Sequence, residues 1–191
     1  MLKKFISPRS LTLIIFMLAA ALSRVLFSLS SCTPLVNFTP IGAMALFGGV
    51  YFSRYKSFLF PLLTLWISDV ILCRVNFYHE WRLFYDGFIW VYAAFALMVL
   101  AGKFIQPNKS VGRFVSSAVV CMLIHWVFTD YGTWLSGTLF PVTFAGWVAC
   151  MVAAIPYEFN FIMGTAIYGF AMFGGFEWLQ NRIVAIRPAV N

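Results

Sequence analysis

Charge is what this chain has least of. Asp, Glu, Lys and Arg make up 10% of its 191 residues, against about a quarter in a soluble domain, and that shortage excludes a soluble globular fold. The basic residues give a net charge of +7, but they lie singly or in pairs at the ends of apolar runs. They build no patch that could follow a phosphate backbone, so no nucleic-acid partner is expected. The cysteines Cys32, Cys73, Cys121 and Cys150 contain no CxxC pair, which argues against a disulfide framework. No HExxH or comparable ligand spacing occurs, and neither a metal site nor a cofactor is expected.

What is there is apolar: 62% hydrophobic residues and a mean hydropathy of +0.90. The expectation is an all-α, polytopic membrane helical bundle forming one domain over residues 1–191, with the lipid bilayer as its first partner. A span takes about 20 residues, and runs 11–29, 58–75, 87–105, 111–130 and 161–180 approach or meet that length. Ser57, Asp86 and Ser110 stand where helix caps belong.

The chain is organised around residues 37–52, NFTPIGAMALFGGVYF. As helix, residues 41–52 cover about 18 Å of a hydrocarbon core of about 30 Å. This is a half-span. Pro40 suits a helix start, Asn37 and Thr39 offer side-chain oxygens to its free amides, and Ala45 with Gly49 forms a small-residue face four apart. Residues 143–155 are apolar but short, and Pro156 divides them from the last span.

Lysine and arginine placement sets the topology. With six crossings and the N-terminus inside, Lys3, Lys4, Arg9, Arg54, Lys56, Lys103, Lys109, Arg113, Arg182 and Arg187 fall on the inner side. Arg74 and Arg82 fall outside. Both termini are thus expected in the cytoplasm of a bacterial cell, with the chain in the inner membrane. A seventh crossing by 143–155 would move Arg182 and Arg187 outside, so that stretch reads as a shallow or re-entrant half-helix on the outer side. Leu29-Ser30-Ser31-Cys32 resembles a lipoprotein cleavage box, but Arg24 interrupts the apolar run before it.

Counted along their helices, Arg24, Asp69 and His125 all reach mid-depth or the outer half, and Asn37, Thr39, Asp130 and Glu158 join them near the outer surface. A charge at the centre of a span costs about 2.5–3.5 kcal/mol on insertion scales, so Arg24 and Asp69 must pair or line a cavity. Either a structural ion pair or an outward-facing polar pocket meets that demand. His125 taken alone reads as a hydrogen-bonded core residue. Trp66, one turn before Asp69, and Trp134 with Trp126 and Tyr131 around Asp130 could wall a site for a planar, partly polar molecule. These residues form the candidate ligand-binding set.

The motifs NFTPIGAMALFGG and FTDYGTWLSGTLFPVTFAGWVACMVAAIP resemble those of an uncharacterised bacterial multipass family, over almost the whole chain. That family usually shows asparagine where this chain has Asp130. The layout also resembles the substrate-binding S components of energy-coupling factor transporters, which have six helices with a short second one after Thr-Pro. That resemblance implies capture of a vitamin or cofactor precursor and docking to a coupling membrane subunit with an ATPase. The nearest match here to their Ala-xxx-Ala docking face is Ala19 with Ser23, and Cys73 stands loosely where related solitary cobalamin binders carry a cobalt-contacting cysteine. Two other roles fit the residues: an intramembrane enzyme using His125, Asp130 and Glu158 as acid, base or metal groups, or an assembly partner with every polar group internally paired.

Overall fold

A computed structural model describes residues 7–29, 36–106 and 109–187. Lys3, Lys4, Cys32 and the Pro107-Asn108 helix stop lie outside them. The elements are α1 (Pro8–Leu29), α2 (Ile41–Tyr51), α3 (Lys56–Leu72, continued by a π turn, Cys73–Phe77), α4 (Phe88–Ile105), α5 (Val111–Leu135) and α6 (Phe144–Arg182), with a closing 3-10 turn, Val184–Ile186. No strand occurs among the described residues. Five helices are long and apolar enough to cross a membrane, and α2, with 11 residues, is not.

Successive helices run antiparallel. Arg9 at the start of α1 donates to Gln180 Oε1 near the end of α6 and to Ile186 O, which puts both described ends of the chain at one end of the bundle. Lys109 reaches Glu177 at 2.6 Å and Arg113 donates to Phe104 O at 3.3 Å, so the α4–α5 turn lies there too. Arg74 and Arg82 sit in the α3–α4 connection at the opposite end.

Every residue of α2 is buried. A helix apolar all round belongs in lipid or in a core, and here α4, α6 and α3 pack around it and make it the core. Glycine permits the closest of these contacts: a Cβ on Gly49 would stand 2.2 Å from Val99 O and 2.9 Å from Gly102 Cα, and one on Gly102 would stand 2.6 Å from Leu46 O. The backbones of α2 and α4 therefore touch. Phe47 anchors the other side, ringed by Tyr51, Phe173 and Phe176 at centroid distances of 4.7, 5.5 and 5.6 Å.

The expected half-helix before the last span is not a separate element. Residues 143–155 and 161–180 belong to one 39-residue helix running through Pro156, about 58 Å long. The proline removes one hydrogen bond, a cost of about 3 kcal/mol, on an exposed face. The turns before it are held to α5, where Trp126 Nε1 donates to Met151 O at 3.0 Å and Cys150 Sγ to Asp130 O at 3.5 Å. Because the two stretches form one continuous helix, 143–155 is not a separate crossing.

The caps differ from expectation. Ser110 accepts from Arg113 N at 3.3 Å as anticipated. Ser57 instead donates to Arg54 O at 2.6 Å, inside a helix that starts one residue earlier. Gly87 in the left-handed region, not Asp86, precedes α4. Pro40 precedes α2 with no side-chain cap from Asn37 or Thr39, because Thr39 is pressed on α6: a Cβ on Gly164 would lie 2.7 Å from both Thr39 N and Thr39 O.

Candidate functional site

Two groups of polar side chains lie in the half of the bundle away from the termini, and they differ in whether they are satisfied. In the first, Arg24 Nη1 meets Asp69 Oδ1 at 2.5 Å and Ser68 Oγ at 2.8 Å, and Tyr92 OH donates to Asp69 Oδ2 at 3.0 Å. Asp69 is 2% exposed. One positive charge faces one negative charge, and both carboxylate oxygens are bonded, as a buried pair requires. Above it the α3–α4 loop folds over, held by Trp66 Nε1 donating to Leu83 O at 3.0 Å. Burial and the nearby Asp69 push the Tyr85 phenol in that loop above its ordinary range. Trp66 therefore ties down a loop.

In the second group, His125 Nδ1 is hydrogen-bonded to Glu158 Oε1 at 2.8 Å, and the imidazole stacks on Phe161 with centroids 4.1 Å apart and planes 17° apart. Glu158 is 4% exposed. Its other oxygen, Oε2, is buried without a hydrogen-bond partner, and so is Asp130 Oδ2. The charged groups close enough to act on Asp130 are Glu158 and His125. Among the described residues no lysine or arginine pairs with them. Two carboxylates against an imidazole that carries one positive charge at most leave this cluster net negative whenever both acids are ionised.

Two hydroxyls in the same region, Thr39 Oγ1 and Thr165 Oγ1, are also buried without partners. Thr165, at 0% exposure, lies against the first turn of α2: a Cβ on Gly42 would stand 2.2 Å from its Oγ1 and 3.1 Å from the Phe161 ring. Phe161 thus links the start of α2 to His125. Each unpartnered buried group costs about 1–3 kcal/mol.

A groove of about 450 Å³ runs between α5 and α6, walled by Val127, Tyr131, Trp134, Phe144 and Trp147. Asp130 stands three residues after Val127 and four before Trp134, on the helix face that borders it. Trp134 Nε1 is shared between Pro141 O and Thr143 O, both at 3.1 Å, and Tyr131 packs edge-on against Trp90 at 5.0 Å. Tyr131 and Trp134 are thus fixed by backbone acceptors and by other rings. Asn37 is exposed, with a φ of 66°, and belongs to neither cluster. Among the described residues no three His, Cys, Asp or Glu side chains group closely enough to hold a metal ion.

Sequence reasoning missed Ser68, Tyr92, Phe161 and Thr165. Tyr92 alone offered a sign, as a polar tip early in an apolar run. It also read the basic residues at the terminal end only as topology markers. There Glu177 takes hydrogen bonds from Tyr51 OH at 2.5 Å, Lys109 Nζ at 2.6 Å and Gln180 Nε2 at 2.9 Å, tying α2 and the α4–α5 turn to α6. An apolar cavity of about 390 Å³ beside it has this paired Lys109 and Glu177 at its edge.

Residues 4–189 match the model of a family of unknown function, DUF6580. No curated protein and no solved structure matches the chain.

Proposed function

We propose, for a chain that belongs to the family of unknown function DUF6580, a membrane protein that captures a small molecule from the side of the bilayer opposite its termini. The observation that carries this is the His125, Asp130 and Glu158 cluster. It holds two buried carboxylate oxygens without partners, one of them on Asp130, whose neighbour Tyr131 lines an aromatic groove, whereas Arg24 with Asp69 and Lys109 with Glu177 are paired. A ligand's hydrogen-bond donors would complete it. Arg24 and Asp69 serve as an internal brace that holds α1 to α3 and lets the far half of the bundle keep its shape.

The concentration of lysine and arginine at the terminal end supports placing that end in the cytoplasm, so that the cluster faces the outside of a bacterial inner membrane. Six helices with a short second one support an uptake role in the manner of an S component, for a vitamin or cofactor precursor. Docking to a coupling membrane subunit and its ATPase would use the lipid-facing side of α1, where Ala19 is exposed and Ser23 half-buried. The hydrogen bond between His125 and Glu158 favours one further role, an intramembrane acid–base enzyme acting on the same ligand.

Mass spectrometry of the gently purified protein separates these. A small molecule released unchanged supports capture, and a molecule that is converted on incubation supports the enzyme. If preparations from native membranes hold no small molecule that Asp130→Asn or Glu158→Gln removes, the capture role fails.

A further inference from the structure

We infer that the captured molecule is an organic cation, an ammonium group on an aromatic or apolar body, which rests on the capture role proposed above. The charged clusters of the described fold can be compared for balance. Arg24 offsets Asp69, and Lys109 offsets Glu177. Asp130 and Glu158 have only His125 between them, so the site lacks at least one positive charge when both acids are ionised.

The hydrogen-bonding deficit has the same sign. An ionised carboxylate only accepts, so the missing partners of Glu158 Oε2 and Asp130 Oδ2 must be donors. An ammonium group supplies both the donors and the charge. An anionic ligand would deepen the charge deficit and would be repelled. A metal ion would need ligands that converge, and among the described residues no three suitable side chains do. The body of the molecule is read from the groove: Tyr131, the chain neighbour of Asp130, and Trp134, one turn on, line it with Phe144 and Trp147, and such rings favour a cation carried on a flat or apolar frame.

The test uses three probes of one shape and different charge: 2-phenylethylammonium, 2-phenylethanol and 3-phenylpropionate. Each is titrated against the full chain in lipid nanodiscs, with the thermal unfolding midpoint as the readout. The ammonium should raise the midpoint in a saturable way and the other two should not. Asp130→Asn and Glu158→Gln should each raise the half-saturating concentration at least tenfold, about 1.4 kcal/mol. Glu80→Gln, which removes a carboxylate that is 71% exposed, should leave it unchanged. The unfolding curves themselves show whether each variant folds, and either carboxylate variant alone suffices.

A midpoint unmoved by the ammonium, a shift shared equally by all three probes, or an ammonium shift that survives both carboxylate variants would overturn the inference. The capture role is decided separately by the co-purified molecule. A neutral or anionic molecule released from the native protein would keep the capture role and sink the cation.

Discussion

Replacing Arg24 and Asp69 singly, together, and together with Tyr92 gives four variants whose stabilities should fall in a fixed order. Arg24→Met strands a carboxylate that is 2% exposed and still bonded by Tyr92 OH. Asp69→Leu strands a guanidinium that keeps only Ser68 Oγ, and also takes the acceptor from Tyr92. Breaking one side of a buried pair costs about 3–5 kcal/mol, and Asp69→Leu should lie at the upper end because it leaves two donors without an acceptor. The double variant removes both charges and leaves only the Tyr92 hydroxyl unmatched, about 1–3 kcal/mol. Adding Tyr92→Phe should bring the loss close to zero. Reversible unfolding in mixed micelles, followed by tryptophan fluorescence, reads the four values. Losses that simply add from single to double would refute the reasoning, because additivity means the two side chains do not interact. A double variant that is folded and still holds its co-purified molecule supports the brace. One that is folded but has lost the molecule would return Arg24 and Asp69 to the binding site.

Gly49→Ala drives a methyl group to within 2.2 Å of Val99 O, and since both sides of that contact are backbone, a loss at or above the usual 1–3 kcal/mol of overpacking should appear in the same unfolding assay. Pro156→Ala should stabilise the protein, by up to about 3 kcal/mol, because it restores a hydrogen bond in a helix that is already continuous; a destabilised variant would mean that the proline shapes α6. Cys73, Cys121 and Cys150 are buried, so an impermeant thiol reagent on intact cells should report on Cys32 alone. Labelling there would put the α1–α2 connection outside, and labelling only after permeabilisation would invert the topology.

The spans were legible in the sequence because lipid demands long apolar runs, and α1, α4 and the start of α5 fall within a few residues of expectation. So was the half-span: residues 37–52 are too short to cross, and their glycines announce close packing. The fusion of 143–155 with the last span was not legible. A proline reads locally as a stop, whereas the contacts of Trp126 and Cys150 that hold the helix together come from 20 to 25 residues away in sequence. The same limit applies to the candidate site. Composition revealed which charges were out of place, and depth counting put Arg24 beside Asp69, but pairing His125 with Glu158 required knowing how α5 faces α6. The helix caps failed for a related reason: Thr39 and Asn37 had suitable oxygens, and the press of α6 on the Thr39 backbone decided against their use.

The half-length of α2 links the packing to the chemistry. Eleven helical residues fill about 16 Å of a core of about 30 Å, so side chains from the surrounding long helices must fill the rest of the bundle's centre. Arg24, Asp69, Tyr92, His125 and Phe161 do so, shielded from lipid by the helices that carry them. The uncapped start of α2 points into the same half and amounts to roughly half a positive charge. That partial charge explains why an excess of carboxylate is tolerated near Phe161 and His125, but it cannot complete the balance. With His125 protonated the cluster is still one unit negative, and half a unit from the helix leaves about half uncompensated. With His125 neutral the deficit is larger. The helix end also cannot satisfy Glu158 Oε2 and Asp130 Oδ2, both of which lack a hydrogen-bond partner. A donor from outside the chain meets both needs at once, and a protein that kept such a site only for packing would be more stable with Asp130→Asn than without it.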